Sequence, residues 1–559
     1  MASQKAPGLP GFSLPLNFAP RRVFPSALQC EDLGMDVGRL NVHRDIVMMR
    51  IINAFTERPD WHSKIFDDGA LKELLQQTAG GEDVTPKMTS WIIKELQWKA
   101  ENLLKTGYTF ALDPGVFKSD SAIPASTTKA LKEASRSLEP AGGNKNCPPE
   151  SKKKIVNPVD PSICPVIYGR TRILPDQTIG VDDCLDKGQG VLLPIPPEEQ
   201  AYDQAFDTSW PERWKKGKPY SRLFQWLPSD VAFGADERCH ITSYINNLPP
   251  WENRGLYETI EDVLTRTLPL WNSTLTYVQN KWARIQCNEV QFLEGDYEVV
   301  GQHEDACTVI LPEPGEFTPP EVDEDRVDLC QEFSQGLQVI VKMTNIELTP
   351  EIPSYKGEPW CLDGQLNEHI CATALYCYDS ENVTEHKIAF RQRSLPNEIR
   401  LTDYPQYHHE WLEPIYGFTN AWDVTSLTQE LGEISTHEGR LITFPHTLQR
   451  SMSPFSLVDP SKPGHRKLLV FYLVDPHIRI ISSANVPPQR DTWWKERQKV
   501  MERALAKLPV ELRDMVREQA DDTIDLEEAK RQRVRLLKER RMMAKQKDAL
   551  FEDASIGLA

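Results

Sequence analysis

The chain reads as α+β, with an antiparallel β roll or barrel in its C-terminal half and helical regions at both ends. Three observations predict this. Within Gly439–Ser482, Arg440–Phe444 alternates branched and aromatic residues, and Pro445 to Pro463 is rich in turn formers. Lys467–Val474 is then a near-continuous apolar run, and after the Asp475-Pro476 break His477–Ser482 predicts a third strand. Upstream, His369–Tyr378 alternates two faces: His369, Cys371, Thr373, Leu375 and Cys377 on one, Ile370, Ala372, Ala374, Tyr376 and Tyr378 on the other. Finally, 43 prolines against 29 glycines imply short elements joined by long connections. That suits a roll better than a doubly wound sheet.

Taken in order, residues 1–138 comprise a Pro-rich arm over the first 40 residues and then a helical region. Helical periodicity runs over Arg44–Thr56, Ala70–Thr78 and Pro86–Leu104. In the last of these Thr85 serves as N-cap, Pro86 suits the first helical position, and Met88, Trp91, Ile92, Leu96 and Leu103 share a face. Residues 139–163 read as a linker or exposed loop. Residues 164–330 form a mixed α/β region packing on the core, with short strands such as Val166–Leu174 and an amphipathic helix over Leu256–Thr267. Residues 331–490 hold the β core, opening with the alternating stretch Leu337–Leu348. Residues 491–559 are helical: Trp493–Lys507, Val510–Ala520, and a long charged helix over Asp521–Leu550 with Asp522 or Thr523 as N-cap. That last helix carries nine Lys and Arg between Lys530 and Lys547, a face read as solvated, with contact to a protein partner as the alternative.

Composition narrows the function classes. A net charge of −18 argues against a protein whose task is gripping nucleic acid. No run of about 18 apolar residues is present to span a bilayer, and the opening MASQKAPGLPGFSLP has no apolar signal core. Eleven cysteines without a Cys-x-x-Cys pair point to reduced thiols and a cytoplasmic protein. Dinucleotide, P-loop, nucleophile-elbow and His-Glu-x-x-His signatures are all missing. Among weaker candidates, His408-His409-Glu410 offers metal-binding types, and Glu368 and His369 follow the core's carboxylate closely enough to line a pocket.

A carboxylate at a strand end, a second ligand far downstream and an Arg on a following strand resemble the layout of iron/2-oxoglutarate oxygenases. Their Fe(II) needs two imidazoles and one carboxylate on one face, and the 2-oxoglutarate needs a fixed guanidinium. Cys361-Leu-Asp363 stands where a His-x-Asp pair would stand, and Arg466 is placed to hold a carboxylate.

The chain also resembles the fungal family known as domain of unknown function 4246. The likeness is carried by HRDIVMMRIINAFTERPDWHSKIFD, FQWLPSDVAF, ITSYINNL, WCLDGQLNEHICATALYCYDSENVT and FYLVDPHIRIISSANVPPQ. It implies a double-stranded β-helix (jelly-roll, cupin-like) core and, by analogy, action on or binding of a small organic molecule, plausibly in specialised metabolism. The family pattern has Trp-His-x-Glu-Gly, Leu-Gln-His-Arg-Val-Ser-Pro-Phe and Gly-His-Arg-Lys. Here Cys361 and Arg450 replace the two histidines, Asp363 keeps the carboxylate, and Gly464-His465-Arg466-Lys467 is intact. Arg offers no lone pair to a metal, so Arg450 is expected to stand in for the cation and pair with Asp363. Asp363 and Arg450 are then the catalytic candidates and Arg466 the co-substrate anchor. The alternative is an unusual metal site of Cys361, Asp363 and His446. Against it, four residues of strand would put His446 about 13 Å from Arg450 unless the chain bulges.

Overall fold

In the computed structural model the described residues are 8–28, 39–67, 69, 83–138, 154–186, 190–202, 220–279, 282–293, 308–321, 326–394, 399, 402–403, 411–418, 428–493, 509 and 523–552. The principal elements in chain order are α1 (His43–Thr56), α2 (Pro86–Thr106), β1 (Thr109–Leu112), β2 (Val116–Ser119), α3 (Ala125–Ser135), β3 (Ile155–Val159), β4 (Ser229–Phe233), β5 (Cys239–Ile241) and α4 (Arg254–Tyr277). Then follow β6 (Leu337–Leu348), β7 (Glu358–Cys361), β8 (Ile370–Glu381), β9 (Lys387–Arg393), β10 (Thr428–Ser435), β11 (Leu441–Pro445), β12 (Gln449–Met452), β13 (Gly464–Val474) and α5 (Leu526–Glu552). The protein is mixed α/β with antiparallel sheets. No helix among the described residues is long and apolar enough to cross a membrane.

Local chemistry sets several boundaries. α2 starts where the sequence predicts: the Thr85 hydroxyl accepts from the Met88 N–H at 3.2 Å, Pro86 opens the helix, and Gly107 closes it in the left-handed region. Met88, Trp91, Ile92 and Leu96 are buried on one face, with Leu103 partly covered. α4 is longer than the expected Leu256–Thr267 and runs through Pro269. The predicted strand Val166–Leu174 is two short ones, Val166–Ile167 and Arg172–Ile173, separated by a turn at Gly169. Ile155–Val159, inside the stretch read as linker, forms β3 and pairs with β6. Helices expected at Ala70–Thr78, Val510–Ala520 and most of Trp493–Lys507 lie outside the described residues, as do His408, His409 and Glu410.

The large sheet runs β1-β2-β11-β8-β13-β6-β4-β5, with β3 also on β6; the small sheet runs β7-β12-β9-β10. From β6 onward the chain shuttles between them: β6 large, β7 small, β8 large, β9 and β10 small, β11 large, β12 small, β13 large. Each strand crossing sends alternate side chains into the space between the sheets. Leu375, Ile442, Phe444, Val470 and Tyr472 of the large sheet meet Ile388, Phe390, Leu431 and Met452 of the small one there. The large sheet's other face buries Met343, Ala374, Tyr376 and Phe471 under α4, where Trp271 and Leu275 are fully buried.

Two expectations within the core fail for identifiable reasons. His477–Ser482 forms no strand. Instead the Asp475 carboxylate takes the His477 N–H and the Phe24 N–H of the N-terminal arm, turning the chain out of the sheet. The predicted face of β8 holds Leu375 and Cys377 together, but a register shift between Ile370 and Ala372 exchanges the strand's first residues. Ile370 joins the inter-sheet core and Cys371 the opposite one, as a bulge requires. Pro445 to Pro463 is not turn throughout: it contains β12, which carries Arg450.

Candidate functional site

The small sheet presents its charged residues to the space between the sheets because β7 is irregular. Its register on β12 shifts between Glu358 and Cys361. Cys361 therefore faces Arg450 across the ladder while Glu358 still reaches the same guanidinium. Gly357, at φ +81°, makes this entry possible, since a Cβ there would fall on the Met452 carbonyl oxygen.

Arg450 grips Asp363 with two nitrogens, Nε to Oδ2 at 2.8 Å and Nη2 to Oδ1 at 3.1 Å, and reaches Glu358 Oε2 through Nη1 at 2.7 Å. The Tyr472 hydroxyl donates to Asp363 Oδ1 at 3.3 Å, and the Tyr355 hydroxyl to Glu358 Oε1 at 3.3 Å. Burial by itself would raise the Asp363 pKa; the Arg450 guanidinium outweighs it and holds the carboxyl down at about 2. Lys342 of β6 adds a further cation, favouring the charged forms of Glu358 and Asp363.

His446 reaches the same centre by a route the spacing argument missed. It lies just past β11, and the chain turns at residues 446–448 before β12 begins, so His446 and Arg450 are not on one continuous strand. Its Nε2 donates to the Asp363 carbonyl oxygen at 2.6 Å, and its Nδ1 accepts from the Ser26 hydroxyl at 2.9 Å. Those partners fix the Nε2–H tautomer, and burial keeps the ring neutral with a pKa of about 4.

An iron site does not fit this donor set. Arg450 occupies both oxygens of Asp363, His446 has its lone pair turned to Ser26, and burial pushes the Cys361 thiol up to about 12, leaving it protonated. Among the described residues no group of three or more His, Cys, Asp or Glu gathers in a way that could hold a metal ion. Cys361, Asp363 and His446 are neighbours, but they do not converge as ligands.

Arg466, on β13, is the other arginine of the pattern. It is 1% exposed, and Nη1 lies against His386 Nδ1, with the Cys377 thiol, a weak acceptor, beside it. Nε and Nη2 have no hydrogen-bond partner among the described residues. Burial pulls the guanidinium's pKa down, while Cys377, Tyr355 and Glu358 favour its charge. Glu358 thus lies in the fields of both arginines, and the row Arg466, Glu358, Arg450, Asp363 alternates in sign.

Helix α5 closes one side of this row. Asp525 rather than Thr523 caps it, accepting from the Glu528 N–H at 2.7 Å, and Asp522 lies outside the described residues. Its basic residues do not form a solvated face throughout. Ala529, Arg533, Leu536, Arg540, Met543 and Lys547 recur every three or four residues and turn to the body of the protein. Arg533 pairs with Asp160 at 2.5 Å, and Arg540 pairs with Glu368 and lies 3.8 Å over the Trp226 ring. Lys547 Nζ donates to the Gly364 carbonyl at 2.8 Å, and Asp548 accepts from Gln449 at 2.8 Å. Glu368, expected to line a pocket, is fully buried and anchors this helix; it also accepts from the Trp226 and Gln365 N–H groups. His369 caps the preceding turn at φ +45°.

The sequence reading did not single out Glu358, Lys342, Tyr355, Tyr472, His386 or Lys547. The alternation of β6 would have pointed Lys342 inward; the near-continuous apolar run of β13 gives Tyr472 no side, and nothing local marks Lys547.

Residues 86–497 match the family described as protein of unknown function (DUF4246), and residues 9–73 match its N-terminal domain. The chain belongs to DUF4246. No curated protein sequence matches this DUF4246 chain. Among solved structures, it is similar to one titled "Crystal structure of IDO from Bacillus thuringiensis" at 13% identity and a TM-score of 0.16. That match covers 25% of the DUF4246 chain and 46% of the other, less than half of that chain's length.

Proposed function

We propose that the two sheets form a double-stranded β-helix of iron/2-oxoglutarate oxygenase ancestry that binds a small organic carboxylate without a metal. Shuttling of successive strands between β11-β8-β13-β6 and β7-β12-β9-β10 supports the architecture. The observation that carries the reading is the Arg450 guanidinium seated on Asp363, where an oxygenase of this kind would hold its cation. A fixed positive charge there repels a divalent ion and saturates Asp363, the carboxylate of the expected ligand set. Arg466 supplies the complementary half: a buried guanidinium with open N–H groups fits a carboxylate by two parallel hydrogen bonds. With no redox metal in the scheme, chemistry at this site is acid/base or binding alone, Asp363, Arg450 and Arg466 orienting an anionic or carbonyl-bearing ligand.

Metal analysis of anaerobically purified protein, with titration of acetate, succinate and 2-oxoglutarate, tests this. Expected are sub-stoichiometric iron and saturable carboxylate binding that Arg466→Met lowers at least tenfold. Stoichiometric iron with succinate release from 2-oxoglutarate would overturn it.

A further inference from the structure

A cleft of about 560 Å³ lies on the face of the small sheet turned away from the roll. Alternation along β9 puts Ile388 and Phe390 in the inter-sheet core, so Lys387, Ala389 and Arg391 face outward. The Trp360 ring stands over the Arg391 guanidinium, 4.9 Å from its centroid, and forms one wall of the cleft, partly exposed.

Helix α1 forms the opposite wall. β10 is an edge strand, and α1 covers that edge. Arg50 Nη2 donates to the Glu430 carbonyl at 2.7 Å, and Asn53 Nδ2 to the Glu433 carbonyl at 2.8 Å. Val47, Arg50, Ile51 and Ala54 recur at helical spacing along the cleft, and the small residues Ala389 and Gly432 keep its floor low. Its volume lies within the span of about 300–1,000 Å³ usual for small-molecule sites.

The charges at the rim are not all satisfied. Glu433 is held by Lys387, and Glu57 by Lys118 and Arg440. Arg50, in contrast, bonds to the main-chain carbonyl of Glu430 and not to its carboxylate. Among the described residues the Arg50 side chain makes no other polar contact, and the Glu430 carboxylate makes none. A guanidinium and a carboxylate thus stand exposed side by side without pairing.

We propose that this cleft binds a free α-amino acid with an aromatic side chain. A zwitterionic head carries on one carbon both the carboxylate that Arg50 accepts and the ammonium that Glu430 accepts. The aromatic ring packs against the Trp360 indole, with the apolar side chains of α1 across from it. An amine or an acid alone meets only one of the two rim charges, and a longer peptide separates its two termini too far to meet both. The cleft is on the outer face of the sheet, so the inference does not rest on the carboxylate reading of Arg466.

Calorimetry on the full-length protein with L-tryptophan, tryptamine and 3-indolepropionate at pH 7 tests this, since the three share a ring and differ in head group. L-Tryptophan is expected to saturate one site and to bind at least tenfold more tightly than either of the others. Trp360→Ala should weaken it at least tenfold, whereas Trp360→Phe should keep most of the affinity. Glu430→Gln should bring L-tryptophan level with 3-indolepropionate while melting like the parent, because that carboxylate is exposed and makes no contact. Equal affinity for the three compounds would overturn the inference. So would the lack of saturable L-tryptophan binding, or binding that Trp360→Ala leaves unchanged.

Discussion

Arg284 and Arg466 are both buried guanidiniums, and they are finished differently. Arg284, below α2, has every nitrogen engaged: Nε and Nη2 each reach Glu95 at 2.8 Å, and Nη1 reaches Asp45 at 3.0 Å and also Asp113. Its plane lies 4.9 Å from the Trp282 ring, and Glu95 is held at about 2, the guanidinium outweighing burial's upward push. Arg466 keeps two nitrogens open in an equally dry setting. A structural arginine closes its donors, because each unmet buried donor costs about 1–3 kcal/mol. In the reading proposed above, the open donors of Arg466 are where a carboxylate would be held. Arg450 is closed by Asp363 and Glu358, and the charge of Glu358 also favours that of Arg466.

Breaking the closed cluster should have the largest effect. Arg284→Met leaves Glu95, Asp45 and Asp113 buried without their cation, and chemical denaturation should report a loss of about 3–5 kcal/mol. Survival of near-parental stability would remove the distinction drawn here. Next comes acid sensitivity at the roll. His446 is held at about 4 against an ordinary 6.5, so the unfolded state takes up its proton first as pH falls. Stability is therefore complete above about pH 6.5 and is lost as pH falls toward 4, by about 3 kcal/mol for this ring. Melts of His446→Gln across that range should show a correspondingly flatter slope.

Asp363 gives a smaller and more acidic signature. Its folded value of about 2 lies below the ordinary 3.8, so its contribution is present above about pH 4 and disappears as pH falls through 2. Asp363→Asn should cost about 2 kcal/mol at neutral pH, and the gap to the parent should close across that window in denaturant titrations. Least affected in stability should be Arg466→Met, within about 1 kcal/mol of the parent because an apolar side chain of similar volume replaces an incompletely paired charge. The same variant should lose carboxylate binding by calorimetry. An Arg466→Met protein as damaged as Arg284→Met would show that the open donors are structural after all.

Legibility was uneven along the chain. The start of α2 was readable to the residue because Thr85 and Pro86 are local signals that act within one turn, while its end lies two residues past the expected Leu104, at Thr106. β6, β8 and β13 were readable as strands because their apolar and alternating runs are long. β12 was missed: four residues, Gln449–Met452, between turn formers carry too little periodicity to stand out. The His477–Ser482 strand failed because Asp475 captures backbone donors there, a choice that β propensity does not see.

At the site, it was the resemblance to the family pattern that set Cys361 and Arg450 where that pattern has histidines and Asp363 and Arg466 where it has its carboxylate and arginine. Residue type fixes whether a side chain has a lone pair to give, so the argument against an arginine ligand needed no coordinates. Which groups meet did need them. Glu358 joins Asp363 on one guanidinium through a bulge, His446 arrives around a turn, and Lys547 comes from 183 residues away to meet Gly364. Periodicity and capping are set within a few residues, whereas these encounters depend on which strands become neighbours and which helix covers them, and that is decided only when the whole chain buries its apolar faces.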